Sequence, residues 1–174
     1  LMLQSIVAGV DSMLVSFLVS RMCGHLLCRL IEGEMLDVQL PHLPMGDVND
    51  ELILKMMALK TGALLEYCAV AGAVIGTGKL PNQGSQHNAL QGFARRCGLA
   101  FQLKDDVLGV VGDEKVLGKP VGSDVREGKR TLILWRALQN ASGGQRDYML
   151  SVLGNRAASG EDVDRVRSLL CDLG

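Results

Sequence analysis

Apolar residues recur at helical spacing along three long stretches of this 174-residue chain, and strand-like alternation occurs nowhere. The first stretch runs from about Gln4 to Val38 and stops at Pro41-His42-Leu43-Pro44. The second begins near Asp47 and Asn49, both good N-caps, passes through Ala63-Leu64-Leu65 and Ala69-Val70-Ala71, and ends at Gly76-Thr77-Gly78. The third runs roughly from Ser85 to Val111. A helix of about 27 residues is about 40 Å long and exceeds the ordinary globular length, so the pattern predicts a large all-α bundle. Gly112 to Gly128 reads as a long irregular loop, followed by shorter helices over about Arg130–Asn140, Gly144–Leu153 and Glu161–Leu173. Ser159-Gly160-Glu161-Asp162 supplies a capping-box-like start for the last. Pro41, Pro44, Pro81 and Pro120 punctuate the segments, while Gly62, Gly72, Gly98 and Gly109 would let neighbouring helices approach closely.

Hydrophobic residues make up 48% and charged residues 21%, which excludes a disordered chain, and the length fits one domain. A net charge of -1 lacks the broad basic field of a nucleic-acid binder, and aromatic residues at 3% leave no base-stacking platform. The five cysteines, Cys23, Cys28, Cys68, Cys97 and Cys171, form no C-x-x-C pair and read as reduced thiols of a cytoplasmic protein. Cys23, His25 and Cys28 do not share a helix face, which argues against a metal cluster. Leu1-Met2-Leu3 has no basic residue and Asp11 interrupts the apolar run that follows, as neither a signal peptide nor a membrane span would have it. The apolar stretch from Met56 to Gly78 contains Lys60 and Glu66, which suits a buried helix better than a lipid-facing one, so no stable membrane insertion is expected. Gly76-Thr77-Gly78-Lys79 has neither the first glycine nor the final hydroxyl of a P-loop. Met56-Met57 reads as bundle packing or as lining for an apolar cavity.

The third stretch carries the most informative residues, Gly98-Leu99-Ala100-Phe101-Gln102-Leu103-Lys104-Asp105-Asp106-Val107-Leu108-Gly109. At 100° per residue Gln102, Asp105, Asp106 and Gly109 fall on one face. Two adjacent carboxylates cannot both stay ionised in a dry core, so they need either solvent or a counter-charge, for which Mg²⁺ bridging to phosphate is suited. A solvent-facing side of an amphipathic helix accounts for the same local pattern. Gly118-Lys119-Pro120-Val121-Gly122-Ser123-Asp124-Val125-Arg126-Glu127-Gly128-Lys129-Arg130-Thr131 then brings lysines and flexible glycines that suit a diphosphate. Lys60-Thr61 places a cation and a hydroxyl within an apolar helix, as a polar cavity would require; a snorkelling lysine beside an internally bonded threonine would look the same.

With these residues the sequence resembles the trans-isoprenyl diphosphate synthases, or polyprenyl synthetases, most closely the archaeal-type geranylgeranyl diphosphate synthases. Gly98, Phe101, Gln102, Asp105 and Asp106 match the second aspartate-rich motif G-x-x-F-Q-x-x-D-D, and Gly118, Lys119, Gly122, Asp124, Gly128, Lys129 and Thr131 match G-K-x-x-G-x-D-x-x-x-G-K-x-T. Lys60-Thr61 falls at the K-T position, and Glu32-Gly33 with Asp37 at E-G-Q-x-x-D, where Glu34 replaces the usual glutamine. Position 109 is glycine, giving the D-D-x-x-G form that archaeal-type members share. Leu153-Gly154-Asn155 with Ser159 looks like their late helix-turn-helix.

The resemblance implies an all-α bundle of the isoprenoid synthase type and head-to-tail condensation of an allylic prenyl diphosphate with isopentenyl diphosphate. It implies that Asp105, with Asp106 less directly, holds Mg²⁺, that Lys60, Lys119 and Lys129 bind the allylic diphosphate, and that Thr61 and Gln102 offer oxygens near its head. A homodimer through long helices that include the first segment is implied as well. Nothing in Leu1 to Leu59 matches the first aspartate-rich motif. Residues 1–174 are therefore expected to form one partial domain, lacking that region and the C-terminal helices, inactive alone and with exposed apolar helix faces. A non-catalytic regulatory subunit of a heteromeric synthase is the alternative. A terpene cyclase on the same architecture usually lacks the G-K-x-x-G-x-D loop.

Overall fold

The computed structural model describes residues 13–77, 86–112 and 121–174. Expectations at residues 4–12, Gly78, Pro81, Ser85 and Gly118 to Pro120 lie outside them. All regular elements among the described residues are helical: α1 (Met13–Gln39), α2 (Asp50–Met57), α3 (Ala63–Thr77), α4 (Gln86–Val111), α5 (Ser123–Glu127), α6 (Leu132–Asn140), α7 (Gly143–Val152) and α8 (Gly160–Leu173). Short 3-10 turns follow α1 at Leu40–His42, which contains Pro41, and at Met45–Asp47, which Pro44 precedes as N-cap. Asn49 caps α2, its Oδ1 accepting from Leu52 N at 2.8 Å, whereas Asp47 belongs to the preceding turn.

Two departures from the sequence expectation bear on function. The second stretch is not uniformly α-helical, because a π turn at Ala58–Gly62 joins α2 to α3. The stretch behind α4 is not wholly irregular either, since α5 forms within it.

The chain divides into two compact units, one of Leu1–Met35 with Lys55–Ala100, the other of Leu36–Leu54 with Phe101–Gly174. In the first, Val15, Val19, Cys23 and Leu26 lie on one face of α1 and pack with Ala63, Tyr67, Val70 and Val74 of α3. Burying each of the larger side chains contributes about 1.5–3 kcal/mol. Two glycines set close approaches: a Cβ at Gly33 would lie 2.4 Å from Lys60 N, and one at Gly98 would lie 2.5 Å from Gly62 Cα. Gly72, expected to serve the same purpose, has nothing within 4 Å of its Cβ position. Glu66 is buried and paired with Arg29 at 2.9 Å, and Gln91 donates to its other oxygen. Burial alone would raise its pKa, but these partners outweigh burial and hold it below the usual value.

The stretches Met13–His42 and Asp50–Thr77 are long and apolar enough to cross a membrane by length and composition. Met13, Phe17, Leu27, Ile31 and Met35 are exposed and recur on one face of α1, as expected of an apolar face left open.

In the second unit Val110 of α4, Leu134 and Leu138 of α6, Met149 of α7 and Val166 and Leu170 of α8 share one core. Side chains start its helices. Thr131 Oγ1 accepts from Leu134 N to open α6, and Ser159 accepts from Asp162 N to open α8. A reciprocal capping box of Ser142 and Gln145, unmarked in the sequence reading, opens α7. The turn from Leu153 to Ser159 between α7 and α8 is the expected helix-turn-helix.

Candidate functional site

The aspartate pair lies in the second unit, and the helix gives its members unlike surroundings. Successive residues turn about 100°, so Asp105 is exposed while Asp106 is buried, with 8% exposure. Gln102 Nε2, one turn earlier, donates to Asp106 Oδ1 at 3.0 Å. Burial raises the Asp106 pKa to about 6; Gln102 and Lys129 pull it down, and Asp124 and Asp105 push it up. The stripe expected from spacing is thus continuous as far as Gln102, Asp106 and Gly109, with Asp105 at its wet edge.

The glycine-rich motif folds into a compact turn around α5. Gly122 and Gly128 adopt φ values of 81° and 72° at its two ends, in the left-handed region that favours glycine. Gly122 N donates to Gly109 O at 3.1 Å, tying the turn to α4. Asp124 then meets Lys129, whose Nζ lies 2.9 Å from its Oδ1 and 3.3 Å from a Glu127 oxygen. Burial alone would depress the Lys129 pKa, but the two carboxylates outweigh it and raise it. The other Asp124 oxygen lies 3.0 Å from where a Cβ of Gly109 would stand. Glycine in the D-D-x-x-G form therefore makes room for the Asp124 carboxylate. Asp106, Gly109, Asp124, Lys129 and Thr131 line one small cavity.

Lys60 and Thr61 lie in the first unit, on the π turn. Such a turn inserts one residue into the helical ladder and is frequent at functional sites. The Lys60 ammonium lies 3.3 Å from a Glu34 oxygen. Among the predicted residues, then, Gln102, Asp105, Asp106 and Lys129 fall in the second unit, Lys60 and Thr61 in the first, and Lys119 outside the described residues. Asp124 and Glu34 stand in the sequence only as motif positions; Asp124 lies five residues before Lys129 in one motif, whereas Glu34 is 26 residues from Lys60 and nothing local pairs them.

Among the described residues, no group of three or more His, Cys, Asp or Glu is placed to hold a metal ion by itself. Carboxylates at Asp105 and Asp106 are nonetheless hard oxygen donors, and Mg²⁺ typically takes one or two carboxylates together with waters and substrate phosphates. The donor set fits that ion on those terms.

Long helices carrying an aspartate pair in this setting define an all-α fold of the isoprenoid synthase type. A geranylgeranyl pyrophosphate synthetase from Pyrococcus horikoshii Ot3 has a similar crystal structure, with a TM-score of 0.78 and 35% identity, covering 94% of this chain and 47% of that one. A geranylgeranyl pyrophosphate synthase from Corynebacterium glutamicum, complexed with isoprenyl diphosphate and magnesium, matches with a TM-score of 0.77 and 30% identity over 92% of this chain and 44% of that one. In sequence, a short chain isoprenyl diphosphate synthase from Methanocaldococcus jannaschii is 42% identical over 120 residues, 69% of this chain and 36% of its own length. The polyprenyl synthetase family model matches residues 2–170, and the chain belongs to that family. It spans less than half the length of each of these relatives.

Proposed function

We propose that this protein is a trans-prenyltransferase that condenses an allylic prenyl diphosphate with isopentenyl diphosphate to give a longer trans-prenyl diphosphate of the geranylgeranyl or farnesyl type. The observation that supports this reading best is the exposed Asp105 beside the buried, Gln102-bonded Asp106 within the family's aspartate-rich motif. Relatives described as isoprenyl and geranylgeranyl diphosphate synthases support it too.

Asp105 and Asp106 would hold Mg²⁺, which when bound supplies positive charge to a departing diphosphate. Lys60, Lys119 and Lys129 would neutralise the diphosphate oxygens of the allylic substrate, with Asp124 orienting Lys129. Thr61 and Gln102 would direct their oxygens to the substrate head and the nascent cation. Ionisation breaks the allylic C–O bond and sends its electron pair to the diphosphate. The double bond of isopentenyl diphosphate then attacks the cation, and loss of a proton restores the alkene. Water must be kept away from the cation throughout.

The exposed apolar face of α1 supports a homodimer formed through that helix. Free cysteines support a cytoplasmic location.

Turnover of allylic and isopentenyl diphosphates with Mg²⁺, measured in a full-length family member carrying residues 1–174, tests the reading. Asp105→Ala and Lys119→Ala should each lower it by about two orders of magnitude or more. Unchanged turnover in both variants would reject the site.

A further inference from the structure

Beside the aspartate site, the second unit holds a cavity of about 780 Å³, of whose lining the reading above uses only Lys129. Two turns build it. Gly128 ends α5 with a φ of 72°, and Gly154 in the turn after α7 has a φ of 78°. Gly154 N donates to Val125 O at 2.9 Å, and a Cβ on Gly128 would lie 3.1 Å from Gly154 Cα. This glycine-to-glycine clamp brings Arg126 and Arg130 from one turn and Arg156 from the other to the same cavity.

These three cations lack the compensation that Lys60 and Lys129 have. Lys129, at the cavity's edge, is held by Asp124 and Glu127, and none of the ion pairs among the described residues engages Arg126, Arg130 or Arg156. Arg130 donates through Nη2 to Pro41 O at 3.3 Å, while its Nε and Nη1 are shielded from solvent without a hydrogen-bond partner. Its pKa is lowered by burial with no carboxylate offsetting that effect. Of the two carboxylates on the wall, Glu127 is turned to Lys129, leaving Asp37 against three guanidinium groups.

We propose that the Arg126, Arg130 and Arg156 cavity binds a phosphate-bearing oxyanion, either free diphosphate or the diphosphate head of an ester, without a metal ion. Guanidinium forks match phosphate oxygens two at a time, and three of them suit an anion with many oxygens better than a single carboxylate. The site uses neither the aspartate pair nor Lys60; it shares only Lys129 with the prenyl-transfer reading, and that lysine is already paired with Asp124 and Glu127.

Calorimetric titration of the chain with inorganic diphosphate in EDTA tests it. Saturable binding is expected, weakened by added salt and retained in Lys55→Ala, whose lysine pairs with Glu32 and belongs to neither site. Arg130→Gln and Arg156→Gln should each raise Kd about tenfold or more, with Arg130→Lys recovering part of the loss. Arg156 is exposed, so its variant keeps the test valid even where Arg130→Gln lowers the melting temperature. A competing arm with farnesyl diphosphate separates the sources: displacement supports an ester head, and its absence supports free diphosphate. No saturable binding in EDTA, equal displacement by citrate, or binding lost in Lys55→Ala but intact in Arg156→Gln would overturn the proposal.

Discussion

The Glu34 carboxylate lies 3.3 Å from the Lys60 ammonium, at the position where the family usually carries glutamine. A negative charge so near a lysine proposed to bind diphosphate competes with that ligand. Glu34 is 60% exposed, so solvent weakens the competition. Glu34→Gln should tighten diphosphate binding with Mg²⁺ by about 2–5-fold at low salt, with less gain as salt is added. Titration calorimetry measures this; weaker binding in the variant would count against Lys60 as a ligand.

Asp106 carries a stability penalty with a defined pH window. Its pKa in the fold, about 6, lies above that of an unfolded aspartate, so the native state holds the proton more tightly. Stability therefore falls as pH rises from about 4 to 6, and the penalty is fully present above that. In EDTA, Asp106→Asn should stabilise the chain by about 1–3 kcal/mol at pH 7.5 and have little effect near pH 4. Thermal melts at the two pH values decide it, since an equal shift at both would mean that ionisation is not the cause.

Gly109 faces the Asp124 carboxylate at 3.0 Å from its Cβ position. Gly109→Asp, which writes the commoner D-D-x-x-D form, should set two carboxylates against each other and lower stability by about 1–3 kcal/mol. Gly109→Ala should displace Asp124 and loosen its hold on Lys129. Denaturant unfolding that leaves Gly109→Asp as stable as the parent would refute this packing.

Gly98 and Gly72 make an internal comparison. A Cβ at Gly98 meets the Gly62 backbone at 2.5 Å, where little can move aside, and Gly98→Ala should cost about 1–3 kcal/mol. Gly72 is helical with open space around it, so Gly72→Ala should stabilise by about 0.5–1 kcal/mol through the unfolded chain's lost freedom. Melting temperatures moving in the same direction would contradict the contrast.

Much of the helical framework was legible in residue order because its causes are local. The third stretch was expected to end at Val111, and α4 does so. Asn49 and Ser159, both cap positions by sequence, each bond a backbone N–H three residues on, a reach contained in the sequence itself. The small α5 leaves no mark in the sequence pattern because its five residues are too few to show a period, and its support comes from left-handed glycines at both ends. Gly72 looked like Gly98 in sequence, yet only one of them meets another helix backbone.

By itself, the sequence determined an all-α chain of this family, with its aspartate pair on one helix and its lysines on a glycine-rich turn and an apolar helix. These follow from helical period, capping and motif spacing, which act over a few residues. Tertiary structure alone decided that Asp106 is buried and Asp105 is not, that Lys60 stands on a π turn beside Glu34, and that Asp124 occupies the space left by Gly109. Desolvation and ion pairing depend on groups brought together from distant parts of the chain, as Gly109 meets Asp124 and Glu34 meets Lys60, and no local pattern encodes those meetings.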